Sequence, residues 1–417
     1  MTERRVVVTG LGALTPLGLT VPAFWDNLVA GVSGAGPITR FDSTEFRTKF
    51  ACELKGFDPL AHFDRKEARK MDPFSHYAIV AADEAIADAG LDFAKLDTTR
   101  VGVIIGSGIG GLNTFQEEVL NYATTKPVPR FNPFFIPKML VDIAPGHVSM
   151  KYGLRGPNHS CVSACATASN CIIDAFLMIK FGISEVIIAG GAESAVNESG
   201  IGGFNAMKAL SERNDDPATA SRPFDKERDG FVLGEGAGVL VLEDYDHALR
   251  RGAKIYAELT GIGMSADAYH VTAPHPEGVG VKLVMENVLK SAGLAPEDVD
   301  YINMHGTSTP LGDIAESKAI AQVFGQWANS GLKVSSTKSM TGHLLGAAGG
   351  IEAIASILAM VHGVIPPTIN HFTDDPDCTL DYTFNQAVRQ PVRAAISNTF
   401  GFGGHNTSVL FQALPAS

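Results

Sequence analysis

The chain is short of charge: Asp, Glu, Lys and Arg make up 19% of its 417 residues, against 45% hydrophobic residues. That balance excludes a disordered polypeptide, which lacks the apolar surface needed to offset chain entropy. Positive charge is scarcer than negative, 33 Lys and Arg against 45 Asp and Glu, for a net charge of −12. A general nucleic-acid binder needs a basic face for phosphate, so that class is set aside. Cysteine is limited to Cys52, Cys161, Cys165, Cys171 and Cys378, an odd set that forms no paired framework. No stretch reaches the roughly 18 uninterrupted apolar residues of a membrane span. The start, Met1–Val8, lacks the apolar core of a signal peptide. The expectation is a reduced, cytoplasmic enzyme that engages neither nucleic acid nor membrane.

A long low-complexity linker is also missing, so the chain reads as one large α/β body rather than strung-out domains. Short β-branched runs predict strands at Arg5–Thr9, Val101–Ile105, Glu185–Ala189, Gly238–Glu243, Tyr301–Met304, Lys333–Ser336, Ala394–Ser397 and Ser408–Phe411. Helical spacing fills the intervals at Pro22–Ala30, Asp72–Ala89, Ala168–Phe181, Tyr245–Arg251, Gly278–Ser291, Asp313–Phe324 and Ile351–His362. Alternation of this kind predicts largely parallel sheets covered on both faces. The halves are weakly alike: Ala89-Gly90-Leu91 and Ala292-Gly293-Leu294 each precede a strand and a glycine-containing turn. A duplicated half, joined near residues 250–255, follows from that likeness.

Three residues carry the chemistry. Cys165 lies in Ser163-Ala164-Cys165-Ala166-Thr167-Ala168-Ser169, just before a predicted helix whose free N–H groups favour thiolate over thiol. A lone cysteine is usually a buried structural residue. Here His305, in His305-Gly306-Thr307-Ser308-Thr309, and His343, closing Lys338-Ser339-Met340-Thr341-Gly342-His343, supply two imidazoles on loops, and acyl transfer through Cys165 becomes the leading idea. Cys161, Cys165 and Cys171 match no zinc spacing, so metal ligation by these cysteines is rejected. Gly401-Phe402-Gly403-Gly404 offers amides for an oxyanion and, in Phe402, a ring on a flexible base that suits a gate. Gly106-Ser107-Gly108-Ile109-Gly110-Gly111 spells a dinucleotide-binding pattern. The acidic residue expected about 20 positions on is missing, for that region reads Pro129-Arg130-Phe131-Asn132-Pro133. Lys66, Arg69 and Lys70, at i, i+3 and i+4, would share one helix face and could dock an acidic partner.

Together, Ser-Ala-Cys-Ala-Thr around Cys165, His-Gly-Thr-Ser-Thr at His305, Lys-Ser-Met-Thr-Gly-His-Leu-Leu-Gly-Ala-Ala-Gly from Lys338, and Asn398-Thr399-Phe400-Gly401-Phe402-Gly403-Gly404 resemble the β-ketoacyl-acyl-carrier-protein synthases. The likeness runs from Val6 to Phe411 and is greatest to the elongating type II branch. It implies a thiolase-like α/β fold, a duplicated αβαβα five-layer sandwich with halves at 1–252 and 253–417, working as a homodimer. It implies decarboxylative condensation of an acyl group on Cys165 with malonyl-acyl-carrier-protein, the substrates riding on the phosphopantetheine of the carrier.

By the same resemblance, the N–H groups of Cys165 and Phe402 form the oxyanion hole, and His305 and His343 stabilise the enolate. Lys338 and Glu352 orient that pair. Thr307 and Thr309 hold the phosphopantetheine arm, Ile109 lines the acyl pocket, and Phe134 reaches across the dimer interface. No cofactor is required, although Asn303, Glu352, Ser397 and Asn398 match positions of a structural Na+ or K+. The run Asn158-His159-Ser160-Cys161-Val162 is more polar than the family leads one to expect, and Cys171 and Phe176 occupy the following helix. These departures leave room for a specialised polyketide or aryl-polyene synthase. A non-catalytic partner subunit is disfavoured by the three reactive residues, and a thiolase by His343 where a cysteine is needed.

Overall fold

A computed structural model describes residues 4–125 and 130–414, so Met1–Glu3 and Pro129 lie outside it. Runs of Val, Ile, Leu and Gly build the main sheet: β1 (Val6–Leu14), β2 (Val101–Gly106), β3 (Asn158–His159), β4 (Val186–Glu193), β5 (Gly236–Asp244), β6 (Ala257–Ala266), β7 (Tyr301–Asn303), β8 (Lys333–Ser335), β9 (Ala394–Gly401) and β10 (His405–Gln412). Strands β1, β2, β4 and β5 are buried along their whole length, which is why they read as continuous apolar runs rather than alternating ones.

The strand order is β8-β7-β9-β10-β6-β1-β5-β4-β2-β3. Split at the β6–β1 seam, the two sets follow one plan: third strand outermost, then second, fourth, fifth and first. The seam is short, Val6–Val8 of β1 against Leu259–Ala257 of β6. The expectation of largely parallel sheets is corrected, because β1–β5, β4–β5, β1–β6, β9–β10 and β6–β10 all pair antiparallel. The cause is plain at β9–β10, where only Phe402–Gly404 separate the strands; a connection that short makes a hairpin and no crossover.

Helices α1 (Pro73–Asp88) and α2 (Ile143–Tyr152) cover the outer face of the first set, and α4 (Val279–Ala292) and α5 (Pro310–Phe324) that of the second. Between the sets lie α3 (Thr167–Lys180) and α6 (Ala348–His362), packed on each other and on strands of both, completing five layers. The segment Leu345–His362 is long and apolar enough to cross a membrane by length and composition, yet 83% of it is buried within the protein. It is the core helix of the middle layer.

Strand β6 escaped prediction because it alternates buried and half-exposed positions and is broken up by Gly261 and Gly263. The helix Leu112–Thr125 escaped because Thr114 is its only buried residue and Phe115, Val119 and Leu120 face outward. Pro145 and Gly146 hid α2. The central helices begin alike. Ala164 (φ 51°) opens the turn Ala164–Ala166 before α3, and Leu345 (φ 47°) opens the turn Leu345–Ala347 before α6.

Candidate active site

Cys165 is the middle residue of the turn before α3, and only 7% exposed. The turn opens with left-handed backbone at Ala164, a strain of about 1–3 kcal/mol. Gly401 of β9 presses against this turn: a Cβ there would meet Ser163 O at 2.6 Å and Cys165 N at 3.1 Å. No other residue could bring β9 so close to the nucleophile, and the closeness lets the Phe402 N–H favour the charged form of Cys165.

His343 arrives from the second half. Its N–H donates to Val232 O at 2.8 Å, and its ring stands edge-on to Phe231 at 5.4 Å and to His305 at 5.3 Å. That packing sets its Nε2 3.0 Å from the Cys165 sulfur. His305 follows β7, and its turn is gripped by Glu316 of α5, which accepts from the His305 N–H at 2.9 Å and the Gly306 N–H at 2.8 Å. Lys338, 1% exposed, donates to the Glu352 carboxylate of α6 as a buried ion pair.

Burial pushes the Cys165 thiol up to about 12, while the charge of Lys338 and the Phe402 N–H pull it down. Against the expected helix-favoured thiolate, burial is the largest influence on this group and favours a thiol, which stands beside a base. Burial, reinforced by the charge of Lys338, holds both His305 and His343 well below the usual imidazole range. Both rings are neutral, each with one N–H and one lone pair to offer. Burial also raises Glu316 to about 7, against the amides of Gly306 and His305, which lower it.

Cys165, His305 and His343 line one cavity of about 660 Å3, together with Ile109, Thr307, Thr309 and Phe402. The Oγ1 atoms of Thr307 and Thr309 lie 3.0 Å apart. Lys338 and Glu352 stand outside the wall and act on it through charge. Phe134 does not join: it is 41% exposed on the surface, with the Lys70 ammonium 5.9 Å from its ring centroid. The basic face is smaller than expected. The helix Arg65–Ala68 has one turn and stops before Arg69, and Lys70 pairs with Glu67 at 2.6 Å, so of the three expected cations only Lys66 and Arg69 are exposed without that pairing.

The glycine-rich loop after β2 has another use than a dinucleotide. Fully buried Glu193 accepts from Ser107 Oγ at 2.7 Å and from the N–H groups of Gly108, Ile109 and Gly346 at 2.8, 3.2 and 2.9 Å. A carboxylate thus takes amides that a pyrophosphate would need. Glu193 and Glu316 were both missed in the sequence. The visible sign was an acid directly after the apolar strand segment Val186–Ala192 for the first, and a second acid three residues after Asp313 in the helix Pro310–Phe324 for the other.

Asn303, Glu352, Ser397 and Asn398 are all buried, and Ser397 lies directly opposite Asn303 in the β7–β9 register. Asn303 Oδ1, Glu352 Oε2 and Ser397 Oγ have no hydrogen-bond partner, whereas Asn398 Oδ1 accepts from Ser408 at 2.6 Å. Unpaired buried oxygens of this kind suit a hard monovalent cation.

The sequence profile of the beta-ketoacyl synthase N-terminal domain matches residues 3–248, and that of the C-terminal domain residues 256–372. Over 410 residues, covering 98% of each chain, this protein is 49% identical to 3-oxoacyl-[acyl-carrier-protein] synthase 2 of Synechocystis sp.. It is 50% identical over 414 residues, 99% of each, to the protein of that name in Staphylococcus aureus strain COL. Among solved structures it resembles a beta-ketoacyl synthase from Burkholderia phymatum, with TM-score 0.91 and 36% identity over 99% of this chain and all of the other. It also resembles a type II polyketide ketosynthase solved with its acyl-carrier protein and bound to a hexaketide, with TM-score 0.92 and 35% identity over 99% and 100% of the two chains. Both halves of the domain pair, near-complete relatives and a cysteine facing two histidines agree: the chain belongs to the beta-ketoacyl synthase family.

Proposed function

We propose that this protein is an elongating β-ketoacyl-acyl-carrier-protein synthase of type II fatty-acid synthesis, condensing an acyl thioester with malonyl-acyl-carrier-protein. The observation that carries the reading is the 3.0 Å approach of His343 Nε2 to the Cys165 sulfur, in a cavity shared with His305. The Cys165 sulfur attacks the acyl carbonyl and its proton passes to His343, then to the departing phosphopantetheine thiol. The N–H groups of Cys165 and Phe402 hold the tetrahedral oxyanion. Malonyl thioester next loses CO2, and neutral His305 and His343 donate to the enolate oxygen. The enolate carbon attacks the acyl-Cys165 carbonyl; collapse releases β-ketoacyl-carrier-protein and returns the sulfur to the enzyme.

Lys338 serves this site by keeping the imidazoles neutral, and Glu352 balances its charge. Thr307 and Thr309 bind the phosphopantetheine arm, Ile109 borders the acyl chain, and Phe402 gates access. A Na+ or K+ ion would be held by Asn303, Glu352, Ser397 and Asn398, where it would brace the strands under His305. The catalytic unit spans halves 1–252 and 253–417, supported by the repeated strand plan. A cytoplasmic homodimer fits the exposed Phe115, Leu120, Phe134 and Ile136 on two helices that pack together, apolar surface of the kind that partners cover, with Phe134 reaching the neighbouring site. Lys66 and Arg69 meet the acidic carrier protein.

Fatty-acid elongation is favoured over polyketide synthesis by the 49–50% identity to proteins named 3-oxoacyl-[acyl-carrier-protein] synthase 2, against 35% to the polyketide ketosynthase. Incubation of the purified protein with acyl- and malonyl-carrier-protein, read by intact mass, tests this. One two-carbon β-keto extension per acyl group with release of CO2 is expected; repeated unreduced extension would identify a polyketide synthase, and no extension would end the reading.

A further inference from the structure

The polar run before the nucleophile has a counterpart on α3 that the catalytic reading does not use. His159 ends β3, the outermost strand of its set, and Cys161 lies two residues on. Residues two apart in an extended segment point to the same side. On that side stands Asp174 of α3, whose Oδ2 lies 2.9 Å from the Cys161 sulfur and 3.5 Å from His159 Nε2. All three candidate ligand atoms fall within 4.8 Å of one another. Of the three cysteines that the sequence grouped, Cys165 stands apart and faces His343, whereas Cys161 keeps Cys171 as a neighbour and faces His159 and Asp174.

We propose that His159, Cys161 and Asp174 form a zinc site outside the catalytic cavity. Zinc bonds of about 2.3 Å to sulfur and 2.0–2.2 Å to nitrogen and oxygen put tetrahedral ligand atoms about 3.2–3.8 Å apart. The present cluster reaches that spacing by side-chain adjustment alone. One thiolate, one imidazole and one carboxylate make a borderline donor set that suits zinc and not magnesium or calcium, which take oxygen ligands. The side chains of His159 and Asp174 are 37% and 38% exposed, so an ion can enter and water can complete its fourth position. None of the three residues lines the cavity around Cys165. A bound ion ties the segment leading to the nucleophile turn onto α3, the helix that follows it, and stabilises the folded chain by mass action.

The test uses the full chain in its native assembly, stripped of metal by chelation and then titrated. Zinc is followed by calorimetry, and cobalt, as a spectroscopic stand-in, by its sulfur-to-metal charge-transfer band. One ion per chain is expected, with a rise in melting temperature on adding zinc. The cobalt band should persist in Cys165→Ala and vanish in Cys161→Ser, and zinc affinity should fall at least tenfold in His159→Ala and in Asp174→Asn. The last two substitutions are at half-exposed positions and keep the test decisive if Cys161→Ser fails to fold. A cobalt band that follows Cys165, zinc affinity unchanged in the variants, or no uptake by the parent chain would each overturn the proposal.

Discussion

His343 Nε2 and the Cys165 sulfur lie 3.0 Å apart although 178 residues separate them in the chain. The contact comes from the duplication: the helices after Cys165 and His343, α3 and α6, pack against each other in the middle layer, and the turns that precede them converge. In the first half that turn carries a sulfur. In the second its equivalent is Gly346, where a Cβ would meet Gly108 N at 2.2 Å, so the second half contributes its histidine from just upstream instead.

Cys165→Ala should abolish both acyl loading and condensation, because among the described residues no other cysteine contacts a histidine of the cavity. His305→Ala and His343→Ala should lose malonyl decarboxylation while keeping some self-acylation, with His343→Ala the slower of the two to acylate because only its Nε2 touches the sulfur. Intact-mass assays of the two half-reactions decide this. Equal loss of both half-reactions in both variants would contradict the division.

The pH profile of decarboxylation carries a sign. Folded His305 and His343 titrate well below 6.5, so both remain neutral as pH falls through that value. The rate of malonyl-carrier-protein decarboxylation should therefore show no acid limb centred on the ordinary imidazole range. A limb there that disappears in His305→Asn would show the rings to be protonated more readily than their burial allows.

Lys338→Met strips the partner from buried Glu352 and should destabilise the protein by about 3–5 kcal/mol. Adding Glu352→Gln should recover part of that loss, since the orphaned charge goes with it. Chemical denaturation of the two single variants and the double variant measures the coupling; additive losses would mean that the pair does not act as a unit.

Arg69→Glu should raise the KM for carrier-bound substrates severalfold and flatten its salt dependence, while a small pantetheine thioester is turned over as before. The same change at Lys70 should matter less, because that ammonium is already engaged by Glu67. An equal fall with both substrates would place the damage in the fold or the active site.

Much of this was written in the sequence. The runs around Cys165, His305 and Lys338–His343, and the hairpin glycines after Phe400, are local motifs whose chemistry depends on neighbours a few residues away. The strands from β1 to β5 that are wholly buried announce themselves by composition alone. Strand direction was not legible, since it depends on how β5 and β10 return beside β1 and β6, a matter of chain path rather than residue type. The same is true of Glu193 and Glu316: nothing beside them in the sequence marks a partner, and only the fold brings the amides of residues 108, 109, 305, 306 and 346 to their oxygens. The state of Cys165 was a tertiary matter as well. A helix terminus is a local property that the sequence could announce, whereas burial, the largest influence on this thiol, is set by β9 and the second half of the chain closing over it.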